Sequence, residues 1–170
     1  MAKFIQITPS FAIAAQLGPE DFARAAEAGF RTIINNRPDG EECNQLSAAE
    51  GQALAQSHGL HYEHIPATKH DLLTDPVVGR TGDVVLAGGG PILAHCKSGQ
   101  RSAVVWAAAT ARTRPVAEVL AALRNAGLDL AFLRDELDKQ ADRARWSTES
   151  RVAPVQEPAA QAARSAAQAA

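Results

Sequence analysis

The run "PILAHCKSGQRSAVVWAAA", residues 91–109, constrains the fold of this chain most. An apolar segment stops at His95 and Cys96, crosses a few small polar residues to Arg101, and continues as an alanine-rich stretch of helical character. Apolar residues without alternation are what a strand buried on both faces requires, and such strands belong to parallel sheets. A strand feeding directly into a helix, in a chain where strands and helices alternate, predicts an α/β fold with helices on both sheet faces.

The other segments fit that architecture. Residues 4–8 ("FIQIT") and 11–16 ("FAIAAQ") read as short strands around a Pro9-Ser10 turn. "GPEDFARAAEAG" reads as a helix with Pro19 early, Glu20 and Asp21 at its positive end and Gly29 as its stop. "FRTIINN" is a β-branched run ending in the turn "RPDGEE". In "LSAAEGQALAQSHG", Ser47 and Glu50 have capping-box spacing. "LHYEHI" follows as a strand, residues 74–87 as a weaker helix containing Gly79 and Gly82, and two helices are predicted near 115–125 and 131–145. The expected fold is therefore a mainly parallel sheet of four to five strands flanked by helices.

With 170 residues the chain suits one domain, assigned to 1–146. Residues 147–170 are low in bulky apolar residues and rich in Ala, Gln, Ser and Pro, the composition of a disordered tail. A net charge of -2 gives no general nucleic-acid-binding surface and favours a small substrate. Two cysteines without scaffold spacing, no signal peptide and no membrane-length apolar window make the expected location cytoplasmic.

In an open parallel sheet, ligands collect beyond the carboxyl ends of the strands. Loops 37–44, 66–73 and 96–101 are expected to converge there. Backbone N–H groups of Lys97, Ser98, Gly99 and Gln100, leading into a helix expected near Ser102, form an anion cradle. Cys96, beside Lys97 and Arg101, is expected at an exposed loop position with a depressed pKa, reacting as the thiolate. Ser102 is expected to donate a hydrogen bond to the sulfur, and Arg101 to grip an oxyanion with both nitrogens. His95 reads as a packed or loop-supporting imidazole rather than a base.

Further residues have two readings each. Arg37 either adds positive charge over the cradle or pairs with Glu41 or Glu42. Asp39 serves its turn or acts as a general acid, Asp75 starts a helix or does the same, and Asp71 lies on a loop expected to face the cradle. Cys43 is a resolving thiol or incidental. His58, His61, His64 and His70 are close in sequence but lack ligand-grade spacing, so neither a metal nor a cofactor is expected.

"HCKSGQRS" resembles the active loop of protein tyrosine and dual-specificity phosphatases: His-Cys, five residues, Arg, then Ser or Thr. Here only four residues separate Cys96 from Arg101, a spacing similar to that of the rhodanese-type sulfurtransferase loop. With "AGFRTIINNRPDGEE" and "LSAAEGQALAQSHGLHYEHIPAT", residues 4–111 resemble the bacterial beta-lactamase hydrolase-like, phosphatase-like domain family. The resemblance implies a cysteine phosphatase-like fold carrying a sulfurtransferase-sized loop. Some relatives are fused to persulfide dioxygenases; no such domain is present in this sequence, so that partner is expected as a separate chain.

Loop size favours sulfur chemistry. A transferring phosphoryl group presents three equatorial oxygens that need donors, whereas a persulfide presents one terminal sulfur. The expected activity is that of a cysteine-dependent sulfurtransferase moving sulfane sulfur from thiosulfate or a small persulfide to a thiol acceptor through a Cys96 persulfide. The alternatives are a phosphatase acting on a phosphate ester through a Cys96 thiophosphate, and a non-enzymatic persulfide or redox sensor.

Overall fold

Strand β1, Ile5–Thr8, turns at Pro9-Ser10 into strand β2, Phe11–Ala14, and the two pair antiparallel. Strands β3 (Thr32–Asn35), β4 (His61–His64) and β5 (Ile92–His95) complete a five-stranded sheet of order β1-β2-β5-β3-β4, and every pairing beyond the hairpin is parallel. The structure, a computed structural model, describes the backbone of residues 1–152 and side chains through residue 146.

All residues of β2, β3 and β5 are buried, as the unalternating apolar run predicts, while β1 and β4 form the partly exposed edges. Along β5 successive side chains enter opposite layers. Leu93 packs with Phe22 and Ala25 of helix α1 (Pro19–Glu27) and Ala55 of helix α2 (Ala48–Ser57). Ile92 and Ala94 pack with residues of α3 (Asp75–Leu86), α4 (Gln100–Ala111), α5 (Val116–Asn125) and α6 (Arg134–Val152). The result is an α/β sandwich with α1 and α2 on one face and α3 to α6 on the other.

Local signals place the helix ends. Ser47 and Glu50 form the predicted capping box: Glu50 N–H donates to Ser47 Oγ at 3.2 Å, and Ser47 N–H donates to Glu50 Oε2 at 2.8 Å. In α1, Pro19 occupies the first turn and Gly18 N–H donates to Asp21 Oδ2 at 2.9 Å. Two boundaries differ from expectation. Helix α4 begins at Gln100 rather than near Ser102, because Gly99, at φ +91°, turns the chain tightly enough for the helix to start at once. A 3-10 turn, Ala131–Leu133, precedes α6, whose backbone runs on to Val152. Of the tail expected over 147–170, residues 153–170 lie outside the described residues.

Register brings the site together. Ala14 of β2 and Asn35 of β3 both pair with His95 of β5, and Asn35 also pairs with His64 of β4. Four strands thus end in one row, and the loops after them share one edge of the sheet. No helix among the described residues is long and apolar enough to cross a membrane.

Candidate active site

Cys96 follows directly on buried His95, and its side chain is held by the turn it begins. Gly99 N–H donates to Cys96 Sγ at 3.1 Å. The loop therefore curls around the sulfur, and Cys96 is only 1% exposed. This corrects the expected exposed position: the backbone ring that makes the cradle closes over its own floor. Because α4 starts at Gln100, the amides of Gln100, Arg101 and Ser102 occupy its first turn, where an α-helix provides no acceptor. They face the same end of β5 with the helix dipole behind them.

Gly99 is the residue this curl depends on. Its φ is left-handed, and a Cβ there would lie 3.2 Å from the carbonyl oxygen of Ala14 on the neighbouring strand. Gly99→Ala combines backbone strain of about 1–2 kcal/mol with that steric conflict. It should lower the urea unfolding midpoint measurably and weaken anion binding to the loop; an unchanged midpoint and unchanged phosphate affinity would show that the curl tolerates a side chain.

Arg101 lies over the loop but its fork is engaged. Nη1 donates to Glu41 Oε1 at 2.8 Å and to the Ala67 carbonyl at 2.7 Å, while Nη2 donates to Glu41 Oε2 at 2.7 Å. Glu41 above all raises the Arg101 pKa; partial burial opposes it, and the nearby Cys96 sulfur adds to the rise. Reciprocally, Arg101 holds the Glu41 carboxyl below its ordinary pKa, desolvation opposing and Arg37 assisting. Lys97 Nζ donates to Glu42 Oε1 at 2.5 Å. Lys97, then Arg37, depresses Glu42 to about 2.

Arg37 underlies both carboxylates. It is 2% exposed; Nε donates to Glu41 Oε2 at 2.9 Å and Nη1 to Gln16 Oε1 at 3.0 Å. Nη2 lies 2.9 Å from Glu42 Oε2 as an ion pair, off the hydrogen-bonding direction. Burial pulls the Arg37 pKa down, and Glu42 and Glu41 outweigh it. Both sequence readings of Arg37 therefore meet in one place: it contributes charge beside the cradle and pairs with both glutamates. Asn35 Oδ1 accepts the Arg37 N–H at 2.8 Å, and His64 Nε2 donates to the Arg37 carbonyl at 3.0 Å.

The remaining candidates separate. Asp39 accepts the N–H of Ala48 at 2.8 Å and so anchors the start of α2. Asp71 accepts Thr68 N–H at 2.6 Å and Thr68 Oγ1–H at 2.9 Å, shaping the loop whose Ala67 carbonyl meets Arg101. Asp75 pairs with Arg112 and Arg143, on α4 and α6. The expected hydrogen bond from Ser102 to the sulfur is not formed: the buried Ser102 hydroxyl has no hydrogen-bond partner among the described residues, and the sulfur accepts the Gly99 N–H. His95 is packed, neither ring nitrogen having a hydrogen-bond partner among the described residues, and burial first, then Arg37 and His64, lowers its pKa to about 3. Ser98 is exposed on the loop and Cys43 is exposed on loop 36–46; both cysteines are free thiols.

Sequence reasoning missed the hold of Glu41 on Arg101 and of Glu42 on Lys97, contacts across 60 and 55 residues. The available signal was the Glu-Glu pair directly after a turn whose loop was already expected at the cradle.

The profile of the family described as beta-lactamase hydrolase-like protein, phosphatase-like domain, matches residues 3–113, more than half of the sequence. The chain belongs to this family. A beta-lactamase hydrolase-like protein of Xylella fastidiosa strain Temecula1 is 35% identical over 105 residues, covering 62% of this chain and 24% of the relative. Its counterpart in Agrobacterium fabrum is 32% identical over 104 residues, covering 61% and 24%. The matched region thus spans about a quarter of the length of these curated relatives. Among solved structures, a candidate phosphatase from Neisseria meningitidis Z2491 has 29% identity and a TM-score of 0.67, covering 80% of this chain and 96% of that one. Kinase associated phosphatase, with its catalytic cysteine replaced by serine, has a TM-score of 0.64 at 14% identity, covering 85% and 96%, a likeness of fold.

These findings correct the sulfurtransferase expectation. The chain is phosphatase-like in family and in fold, which overturns the rhodanese reading, and they lend no support to a persulfide donor, a thiol acceptor or a dioxygenase partner. The size argument failed for a physical reason. It took the residue missing from the loop as one lost N–H, with the helix starting near Ser102, whereas α4 starts at Gln100 and the first-turn amides of Arg101 and Ser102 are also free of helical acceptors.

Proposed function

We propose that this domain hydrolyses phosphate monoesters through a thiophosphate on Cys96. The observation that carries the reading is the curl of residues 96–101 around the sulfur, with Gly99 N–H on Sγ and the Arg101 guanidinium beside it. Loop amides and Arg101 hold the equatorial oxygens of the transferring group, which is where such a reaction concentrates charge. The Cys96 thiolate attacks phosphorus through Sγ, the S–P bond forms, and the P–O bond to the leaving group breaks. The leaving oxygen takes a proton from water or from the Asp71 carboxyl, and in the latter case the water of the second step returns that proton to Asp71. Water then cleaves the S–P bond, releasing phosphate and returning the cysteine; no oxidant or reductant takes part.

Lys97, Ser98, Gly99, Gln100 and Ser102 bind the anion in this scheme, and Arg101 contributes both binding and transition-state stabilisation. Arg101→Ala should lower kcat/KM for an aryl phosphate by about 10²-fold or more, and Arg101→Lys, which keeps charge without the fork, by less. The reading is tested by incubating the chain with an aryl phosphate, measuring released phosphate, and analysing acid-quenched protein by mass. Turnover together with one phosphoryl group on the Cys96 peptide supports it. Absence of phosphate release from aryl and alkyl monoesters alike overturns it.

A further inference from the structure

We infer that Glu41 and Glu42 are specificity determinants that select phosphate monoesters bearing a cationic group near the phosphate, an inference that rests on the proposed hydrolysis. Each carboxylate bridges a cation of the cradle to the same buried anchor. Glu41 joins Arg101 to Arg37, and Glu42 joins Lys97 to Arg37. The anchor itself is fixed from behind by Gln16 and is 2% exposed, whereas the side chains of Glu41 and Glu42 are 30% and 50% exposed. The buried Ser102 hydroxyl, on the first turn of α4, has no hydrogen-bond partner among the described residues and so leaves a donor free for a ligand at the start of that helix.

A phosphate that takes the Arg101 fork displaces the Glu41 carboxylate. Arg37 keeps that carboxylate at the rim, since its Nε contact does not involve Arg101. Three cations and two carboxylates leave the cluster with one net positive charge. A bound dianion makes it net negative, the more so with the attacking Cys96 thiolate counted, and one ammonium or guanidinium on the substrate offsets part of that excess. The exchange is one of ion pairs: Arg101 trades Glu41 for phosphate, and Glu41 trades Arg101 for the substrate's cation. A substrate without a cation leaves two tethered carboxylates beside its own negative charge.

The test compares two esters matched in shape, 4-(2-aminoethyl)phenyl phosphate and 4-ethylphenyl phosphate. Turnover is measured with the wild-type chain, E41Q, E42Q and the double variant, and binding by calorimetry with Cys96→Ser and with Cys96→Ser carrying both glutamine changes. The wild-type chain should prefer the ammonium ester by about fivefold in kcat/KM at low salt, a preference that shrinks as salt rises. E41Q and E42Q should each reduce it, and the double variant should abolish it while improving use of the neutral ester. Equal use of both esters by the wild-type chain, or an undiminished preference in the double variant, overturns the inference. If neither ester is turned over, the hydrolysis reading fails on its own; the binding comparison then decides the role of the carboxylates, and equal affinities overturn it.

Discussion

Replacing Cys96 with serine will abolish phosphate release, by on the order of 10⁴-fold or more in kcat, and leave the unfolding midpoint nearly unchanged. The substitution exchanges one buried atom. A serine oxygen can accept the Gly99 N–H in place of Sγ, so the curl of the loop survives. What is lost is nucleophilicity: a hydroxyl is not ionised near neutral pH and needs an adjacent base. The adjacent imidazole, His95, is packed with no hydrogen-bond partner at either nitrogen among the described residues and offers no such contact. Cys43→Ser is the matched control; it changes an exposed thiol and should retain full activity. Appreciable turnover by the Cys96→Ser chain would remove Cys96 from the role of nucleophile, and loss of turnover in the Cys43 variant would give that thiol a part in the reaction.

Mild acid will destabilise the fold through His95. Its pKa in the folded chain is about 3, against 6.5 for an ordinary histidine, so between these values the unfolded chain binds a proton that the folded chain does not. The sign follows from that difference. Stability is fully present above about pH 6.5 and falls as pH drops through the window, with a slope on the order of 1.4 kcal/mol per pH unit. Urea unfolding at about pH 6.5 and pH 5 should therefore differ by roughly 2 kcal/mol, and His95→Asn should remove most of that difference. This interval lies above the range in which Glu41 and Glu42 matter. Their pKa values are lowered, so their contribution is present above the ordinary carboxylate value of 4.5 and is lost below it, toward about 2 for Glu42. A histidine variant with the same pH dependence as the wild-type chain would contradict the assignment.

Much of the fold was legible because it rests on local patterns. The unalternating run ending at His95 indicated a strand buried on both faces, and Ser47 with Glu50 fixed the start of α2. Loop 96–101 was legible as a tight turn from strand end to helix start for the same reason: strand end, glycine and helix start are adjacent in sequence. Its details were not. Whether α4 begins at Gln100 or Ser102 depends on the left-handed turn at Gly99, and those two residues changed the count of amides from which the chemistry was argued. The ion pairs of Glu41 with Arg101 and Glu42 with Lys97 have no periodicity to betray them; they exist because β3 and β5 are neighbours in the sheet. Ser102 shows the converse error: its local hydrogen bond to the sulfur was expected from sequence spacing, and the donor found there is the backbone N–H of Gly99.

Helix α4 carries a consequence for anyone wishing to redesign this domain. Eight of its twelve residues are buried, and it packs against α3, α5 and α6, so the end that presents Arg101 is held from several sides. Tailoring substrate preference by altering this helix would disturb the interior of the whole layer. Loops 36–46 and 65–74 are different: they reach the cradle through side chains or single carbonyls such as that of Ala67, and most of their residues are not buried. Segments grafted at those two places are the natural route to new selectivity, with Cys96 and its turn left as a fixed chassis.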